Sequence, residues 1–361
     1  MNHSKTLMVR AFSGLRETLY AAKCLVTGGG GGFLRHKSQV HARRAVAQSR
    51  VLKEFLTNPS LFRANSCPAC GERLSPRDHF QNPLGYSFNE CPADGTIYMD
   101  PVPTDETLAR MYNDPSETYF WLRQENPREV AVIAENVDDF EVLTSWLPPS
   151  VQGGALLDAG CATGSFLLTA RRLFDVEGVD LNDATAETGR AAGLRITTGT
   201  LSDLPGAERF DVITMLQVIE HLPNPAEVLR DVRRLLKRDG FLYVNTPNID
   251  SASFKYLKNL HTHVSGFGHV SLFSAKGLEL LGKRCGFESV RHDHYGGKDL
   301  ALHDLLSYSL KPASFRHRMA CYSPRFYFAC DLVSRLSFRM LDALLLPAGK
   351  ESYVRMLYRK C

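Results

Sequence analysis

The sequence predicts an α/β fold, a doubly wound sheet of parallel strands, preceded by a small cysteine-bearing module and a basic arm. Three observations carry this. From residue 155 onward short apolar runs alternate with amphipathic stretches at the spacing of strand and helix. Between Cys67 and Asp94 a Cys-Pro-Ala turn occurs twice. Residues 1–60 hold ten Lys/Arg against Glu17 and Glu54, about +8, whereas the whole chain carries +4, leaving the remainder near −4.

The 361 residues are 44% hydrophobic and 23% charged, ordinary globular usage with room for a second core. Wholesale disorder, collagen-like repeats and coiled coil are thereby excluded. No apolar run approaches the ~18–20 residues of a membrane-spanning helix and no export signal is visible, so a soluble, cytoplasmic protein is expected. Nine cysteines are too few for a disulfide scaffold of this length, and their odd number favours reduced thiols or metal ligands.

In chain order, residues 1–60 read as a flexible arm. Five glycines, Gly28 to Gly32, would cost any packed element backbone entropy, and a local helix is expected only over Arg44 to Phe55. A solvated extension, a transit peptide and a nucleic-acid-binding arm all fit the charge. Residues 61–102 read as a zinc-ribbon-like module. Cys67-Pro-Ala-Cys70-Gly71 and Cys91-Pro-Ala-Asp94-Gly95 would direct three thiolates and one carboxylate at a structural zinc ion, with Asp78 or His79 as substitute ligands. The alternative is a former ribbon held by packing of Tyr86, Phe88, Ile97 and Tyr98. Residues 103–150 read as a helical linker ended by Pro148-Pro149.

The main domain is expected over 151–361. Strands are predicted at ALLDAG, VEGVD and LRITTG, with helices at SFLLTARRLF and after Asn182. FDVITML (210–216) is a buried strand. Asn224-Pro225-Ala-Glu227 then opens a helix with cap, first-turn proline and reciprocal glutamate, closed by Asp239-Gly240. FLYVNTP (241–247), a helix from Ser274 to Cys285, and strands at Phe287 to Arg291 and Tyr353 to Arg359 complete the pattern. The insertion at about 293–350 holds an amphipathic helix over Arg325 to Leu345, either packed on the domain or serving as a lid or membrane-surface contact.

The chemistry is concentrated where the first strand meets its helix. Asp158-Ala159-Gly160-Cys161-Ala162-Thr163-Gly164 brings bare backbone and a helix N-terminus close to a ligand. Twenty residues after Gly160, the next strand ends in Asp180, a carboxylate placed to accept ribose hydroxyls. The D-x-G-C-x-x-G loop resembles motif I of class I S-adenosylmethionine-dependent methyltransferases. The resemblance extends over about 155–292, through Leu201-Ser-Asp203-Leu204-Pro, Gln217-Val-Ile-Glu220-His221-Leu-Pro-Asn-Pro, Thr246-Pro-Asn and Gly268-His269-Val-Ser-Leu-Phe. These segments are similar to small-molecule methyltransferases related to the ubiquinone-biosynthesis O-methyltransferases.

That resemblance implies a Rossmann-like seven-stranded sheet with its last strand antiparallel, and S-adenosyl-L-methionine as cofactor. It implies cofactor contacts at Asp158, Gly160, Cys161, Gly164, Asp180 and Leu181, with Asp203 beside the adenine, and further contacts at Leu204 and Gln217. Cys161, inside the cofactor loop, reads as a small apolar filler. His221 is the expected general base and His269 the second candidate; with Glu220 they could instead hold a divalent metal. The head is similar to that of deoxysugar C-methyltransferases, which implies a small hydroxylated acceptor such as a sugar, polyketide or quinone precursor. Certain ribosomal RNA methyltransferases also carry a cysteine-zinc head, so RNA is the alternative acceptor. A non-catalytic, cofactor-binding scaffold is the other alternative; Gln217, where relatives often carry glutamate, favours it mildly.

Overall fold

A computed structural model describes residues 58–73, 75–82, 85–113, 130–261, 263–264, 268–296 and 351–361. The expectations for the glycine run and helix of the arm, and for the helix at 325–345, lie outside the described residues.

The head is a small antiparallel array. β1 (Phe62–Arg63) pairs with β5 (Val102–Pro103) and closes it, while β2 (Asp78–Gln81), β3 (Ser87–Glu90) and β4 (Ile97–Met99) form a meander. Tyr86, Phe88, Ile97 and Tyr98 are buried. The chain then enters α1 (Asp105–Tyr112), which starts where the Thr104 hydroxyl accepts the amide of Thr107 and two carboxylates occupy the first turn.

After α2 (Val130–Trp146) the alternation read from the sequence appears in full. The order is β6 (Ala155–Ala159), α3 (Ser165–Ala170), β7 (Asp175–Asp180), α4 (Asp183–Ala191), β8 (Ile196–Thr198), β9 (Phe210–Leu216), α5 (Pro225–Leu235) and β10 (Leu236–Pro247). It continues with α6 (Ala252–Leu257), β11 (Ser271–Leu272), α7 (Ala275–Arg284), β12 (Phe287–Tyr295) and β13 (Tyr353–Lys360). The seven-stranded sheet runs β12-β13-β10-β9-β6-β7-β8, and β13 is antiparallel to both its neighbours. This is the class I methyltransferase order, with the antiparallel strand that the resemblance implied.

Consecutive strand residues send their side chains to opposite faces, and both faces of the central strands are covered, so β6, β9 and the Phe241–Val244 stretch of β10 are largely apolar. Leu156, Val212, Tyr243 and Leu357 pack with Leu143, Phe166, Leu167 and Ala186 of α2, α3 and α4. Their neighbours Leu157, Ile213, Leu242 and Met356 pack with Leu229, Val232, Leu278 and Leu281 of α5 and α7. β11 leaves this domain and joins the head, antiparallel to β4, with Ser271 opposite Tyr98 and Leu272 opposite Ile97.

Three details differ from expectation. β12 runs on to Tyr295, past the expected Arg291 and into the stretch read as insertion, because Asp293, His294 and Tyr295 stay paired with β13. α5 stops at Leu235 instead of Asp239-Gly240, because Leu236 is already paired with Phe210 in the sheet; a register irregularity then absorbs residues up to Phe241, with Asp239 left-handed at φ 58°. At the other end of that helix the Asn224 side chain makes no cap bond, and the Glu227 amide reaches the Asn224 carbonyl instead, at 3.2 Å. At the carboxyl end of the helix, sheet pairing overrides the local stop signal.

Candidate active site

The strand order reverses between β6 and β9, and in open α/β sheets such a switch point, at the carboxyl ends of the strands, is where a ligand crevice is formed. Three left-handed residues in five positions turn β6 into α3: Gly160 at φ 75°, Ala162 at φ 47° and Gly164 at φ 76°. A Cβ on Gly160 would lie 2.6 Å from Val218 Cγ2, so glycine is required there on two counts. Ala162 holds its strained conformation because its amide donates to Asp180 Oδ2 at 2.8 Å. The Asn182 amide and the Thr185 hydroxyl donate to Oδ1 at 2.8 and 3.2 Å. Burial pushes the Asp180 carboxyl up, and the Asn182 and Ala162 amides pull it back. Asp158, buried, accepts the Thr214 hydroxyl at 2.6 Å.

Cys161 lies against the next strand. Its sulfur occupies the space left by Gly178, where a Cβ would sit 2.5 Å from Sγ, and burial pushes its thiol up. Asp203 lies on an exposed turn and accepts the Thr200 amide and hydroxyl, both at 2.8 Å. Leu204 is buried and Leu181 half-buried. Gln217 follows β9 in a left-handed conformation, φ 56°, and its Nε2 donates to Asn245 Oδ1 at 3.0 Å.

On the far side of the crevice a short 3-10 turn, Ile219–His221, carries Glu220 and His221. Glu220 is fully buried; Oε2 accepts the Thr246 hydroxyl at 2.9 Å, and Oε1 has no hydrogen-bond partner among the described residues. Burial pushes its carboxyl up to about 8. The ring of His221 meets that of His269 edge-on at 4.8 Å, and His221 Nδ1 lies 2.7 Å from the hydroxyl of Tyr112. His269 Nδ1 contacts the His263 carbonyl at 3.1 Å. Burial and the neighbouring His269, His261 and His221 hold His263 well below the usual imidazole range. One oxygen of Glu220 and one nitrogen each of His221 and His269 lie within 4.8 Å of one another, close enough for a divalent cation.

In the head, Cys67, Cys70, Cys91 and Asp94 converge with all four ligand atoms within 4.8 Å. Asp94 Oδ2 lies 3.5 Å from Cys67 Sγ and 3.4 Å from Cys91 Sγ, and Cys70 Sγ lies 3.8 Å from Cys91 Sγ. Tetrahedral ligands ~2.3 Å (sulfur) and ~2.0 Å (oxygen) from zinc are about 3.5–3.8 Å apart, so the cluster fits that ion. The other Asp94 oxygen is fixed by the Thr96 amide at 2.8 Å. His79 bonds Asn89 at 2.8 Å and Asp78 faces Lys258, so neither completes the set. Burial pushes the Cys67 and Cys91 thiols up, against the pull of amides at Cys70 for the one and at Ala93 and Asp94 for the other.

Two groups escaped the sequence reading. Tyr112 comes from the segment read as linker and reaches a histidine 109 positions away; the Thr104 cap announces α1, but nothing local announces its partner. Behind Gln217, Asn245 bonds Asp139 at 2.9 Å and Tyr295 at 2.6 Å, and Asp139 pairs at 2.8 Å with Arg355, which is fully buried under the Tyr295 ring. Buried charges in otherwise apolar strands are the one signal that could have flagged Arg355.

Strand order, the single antiparallel strand and the glycine turn are together those of the class I methyltransferase fold. Residues 131–292 match the family described as "Methyltransferase domain". A ubiquinone biosynthesis O-methyltransferase of Marinobacter nauticus is 32% identical over 164 residues, 42% of this chain and 63% of that protein. The namesake of Stutzerimonas stutzeri is 28% identical over 42% of this chain and 64% of its own length. The chain thus spans just under two thirds of these relatives. Phosphoethanolamine N-methyltransferase 2 of Haemonchus contortus, solved with S-adenosyl-L-methionine, aligns at TM-score 0.48 with 16% identity, over 73% of this chain and 62% of that one. No helix among the described residues is long and apolar enough to cross a membrane.

Proposed function

We propose that the chain transfers a methyl group from S-adenosyl-L-methionine to a hydroxyl or carbon of a small metabolite, a sugar, polyketide or quinone-type precursor. The observation that carries this is the clamp of Asp180 on the glycine turn. One carboxylate orders the loop amide of Ala162 and lies where the ribose of an adenosyl group would meet it, at the switch point of the sheet. The O-methyltransferase relatives favour a hydroxyl acceptor.

When bound, S-adenosyl-L-methionine supplies a methyl group made electrophilic by its sulfonium. Gly160 and Gly164 let the backbone approach the ligand, Asp180 receives the ribose, and Asp203 stands beside the adenine, with Asp158, Leu181, Leu204 and Gln217 completing the contacts. Holding donor and acceptor in line can supply ~7–11 kcal/mol of such a barrier. His221 takes the acceptor's proton, with His269 beside it, a role that contributes roughly 10²–10⁴-fold. The orphan oxygen of Glu220 supports the second use of this cluster, as ligand with His221 and His269 for a divalent cation that polarises the acceptor oxygen. Cys67, Cys70, Cys91 and Asp94 hold a structural zinc ion.

The deciding experiment incubates the purified chain with methyl-labelled S-adenosyl-L-methionine and a small-metabolite extract, reading methylated products by mass spectrometry. His221→Ala is expected to bind cofactor normally and to lose turnover. A variant as active as the wild type would remove His221 from the chemistry. The basic residues of 1–60 are the observation that favours RNA as acceptor; salt-sensitive RNA binding lost on deleting them would support that reading.

A further inference from the structure

Behind the end of β9 a buried ion pair leads, amide by amide, to an open carboxamide. Arg355 of β13 is fully buried; its Nε donates to Asp139 Oδ1 at 2.8 Å and its Nη2 reaches Asp138. The Tyr243 hydroxyl lies 2.9 Å from the same Asp139 oxygen. Asp139 Oδ2 takes Asn245 Nδ2 at 2.9 Å, and Asn245 Oδ1 takes Gln217 Nε2 at 3.0 Å. Burial alone pushes the Asp139 carboxyl up, but a guanidinium that cannot give up its proton lies against it and pulls it back. Both oxygens of a charged Asp139 can only accept, so Asn245 turns its nitrogen to Asp139 and its oxygen to Gln217. Gln217 then meets that oxygen with its own nitrogen. The Tyr295 hydroxyl, 2.8 Å from Asn245 Oδ1 and 2.6 Å from Nδ2, can serve either atom and does not decide the order.

Gln217 is held a second time by Asn245, whose carbonyl accepts its backbone amide at 2.8 Å. It keeps a left-handed φ of 56°, a conformation that a residue with a side chain holds only where its surroundings impose it. Its Oε1 makes no hydrogen bond among the described residues, yet the side chain is only half-buried and this oxygen is not sealed from solvent. The next residue, Val218, lies against Gly160, which places the open oxygen at the switch point of the sheet.

We infer that Arg355, Asp139 and Asn245 are positioning residues that hold the Gln217 carboxamide with its oxygen toward the crevice, where it accepts a hydrogen bond from an ammonium or hydroxyl group of the bound ligand. The ligand's identity rests on the methyl-transfer reading above, whereas the order of the amides rests on the contacts alone. In that reading two groups bring such a donor: the α-ammonium of S-adenosyl-L-methionine and the hydroxyl of the methyl acceptor. A carboxamide orients the donor without taking its proton, so deprotonation is left to another group. A carboxylate at position 217 would set an oxygen against Asn245 Oδ1, and Asn245 could not turn round without bringing its own oxygen to Asp139.

The order of the amides is tested with Gln217→Glu in the full chain, melted beside the wild type across pH. At about pH 8 the new carboxylate faces Asn245 Oδ1, and a melting temperature a few degrees lower is expected; toward about pH 5 a protonated Glu donates as Nε2 did, and the gap should close. Asp139, Tyr295 and Arg355, the charged and titratable groups behind position 217, are common to both chains, so the difference isolates that position. A variant at least as stable as the wild type at the higher pH, or a gap that does not narrow, overturns the order, since Asn245 would then be offering its nitrogen. Gln217→Met, which keeps the length and loses both polar atoms, tests the open oxygen without adding a charge. Calorimetry is expected to show S-adenosylhomocysteine bound about tenfold more weakly and 5′-methylthioadenosine, which lacks the ammonium, bound as before, if the cofactor is the donor. Unchanged binding of both with less label passed to a small-metabolite extract assigns the oxygen to the acceptor hydroxyl. Unchanged binding and unchanged transfer overturn its role. A wild type that binds neither compound removes the methyl-transfer reading, and the melts still decide the order of the amides.

Discussion

On Asp180 two amides and a hydroxyl converge, so this single carboxylate shapes the loop before any ligand arrives. Hydrogen bonds to a charged group contribute ~1.5–3 kcal/mol each, and Asp180→Ala is expected to weaken cofactor binding roughly 10- to 100-fold. Titration calorimetry checks this, and unchanged affinity would move the ribose site elsewhere. Glu220 gives a second expectation, in pH. Its folded pKa of about 8 lies above the ordinary 4.5. The unfolded chain therefore releases this proton near 4.5, while the folded chain keeps it until about 8. The folded state binds more protons across that window, so the contribution of Glu220 to stability is full below 4.5 and is lost as pH rises to about 8. Glu220→Gln should flatten that part of the stability profile in denaturant melts; a slope equal to the wild type's would show that the carboxyl is not held protonated.

Among the elements, β6, β7 and α3 meet with little tolerance. A Cβ on Gly178 would lie 2.5 Å from Cys161 Sγ and 2.8 Å from Leu167 Cδ1. Gly178→Ala should cost ~1–3 kcal/mol of stability by overpacking, and adding Cys161→Ala should recover part of it, since the sulfur is the nearer obstacle. Thermal melts of the single and double variants read the coupling directly; additive losses would mean the sulfur is not the obstacle. This is also the scale at which the sequence was most legible. β6, β9 and the Phe241–Val244 stretch of β10 stood out as apolar runs because both faces are buried, and the motif residues lie at strand ends that the periodicity already marked. The end of α5 was not legible, since Asp239-Gly240 is a good local stop and only pairing of Leu236 with Phe210 cuts the helix earlier. Tyr112 and Arg355 were hidden for the same reason, their partners being set by how elements pack.

For the molecule as a whole, the head and the main domain share a sheet and a helix. The Ser274 hydroxyl, which caps α7 at the Gly277 amide, also donates to the Asp94 carbonyl at 3.0 Å. Lys276 reaches the Ala93 carbonyl at 2.7 Å, and Arg284 of the same helix reaches the carbonyls of Pro68 and Ala69. Both cysteine turns therefore rest on α7. Removing zinc with a chelator, or changing Cys91→Ser, should lower the melting temperature of the entire chain in a single transition. Elemental analysis should find one zinc per chain in the wild type; a head that melts separately, or protein free of zinc, would overturn the coupling. The pairing of β4 with β11 bears on biogenesis as well. Asp94 and Ser274 are 180 positions apart, so during translation the three thiols leave the ribosome long before the strand and helix that cover them. The nascent head must wait, reduced and uncovered, and an early oxidant or a scarcity of metal at that stage would be recorded as misfolded chains, never as a slow enzyme.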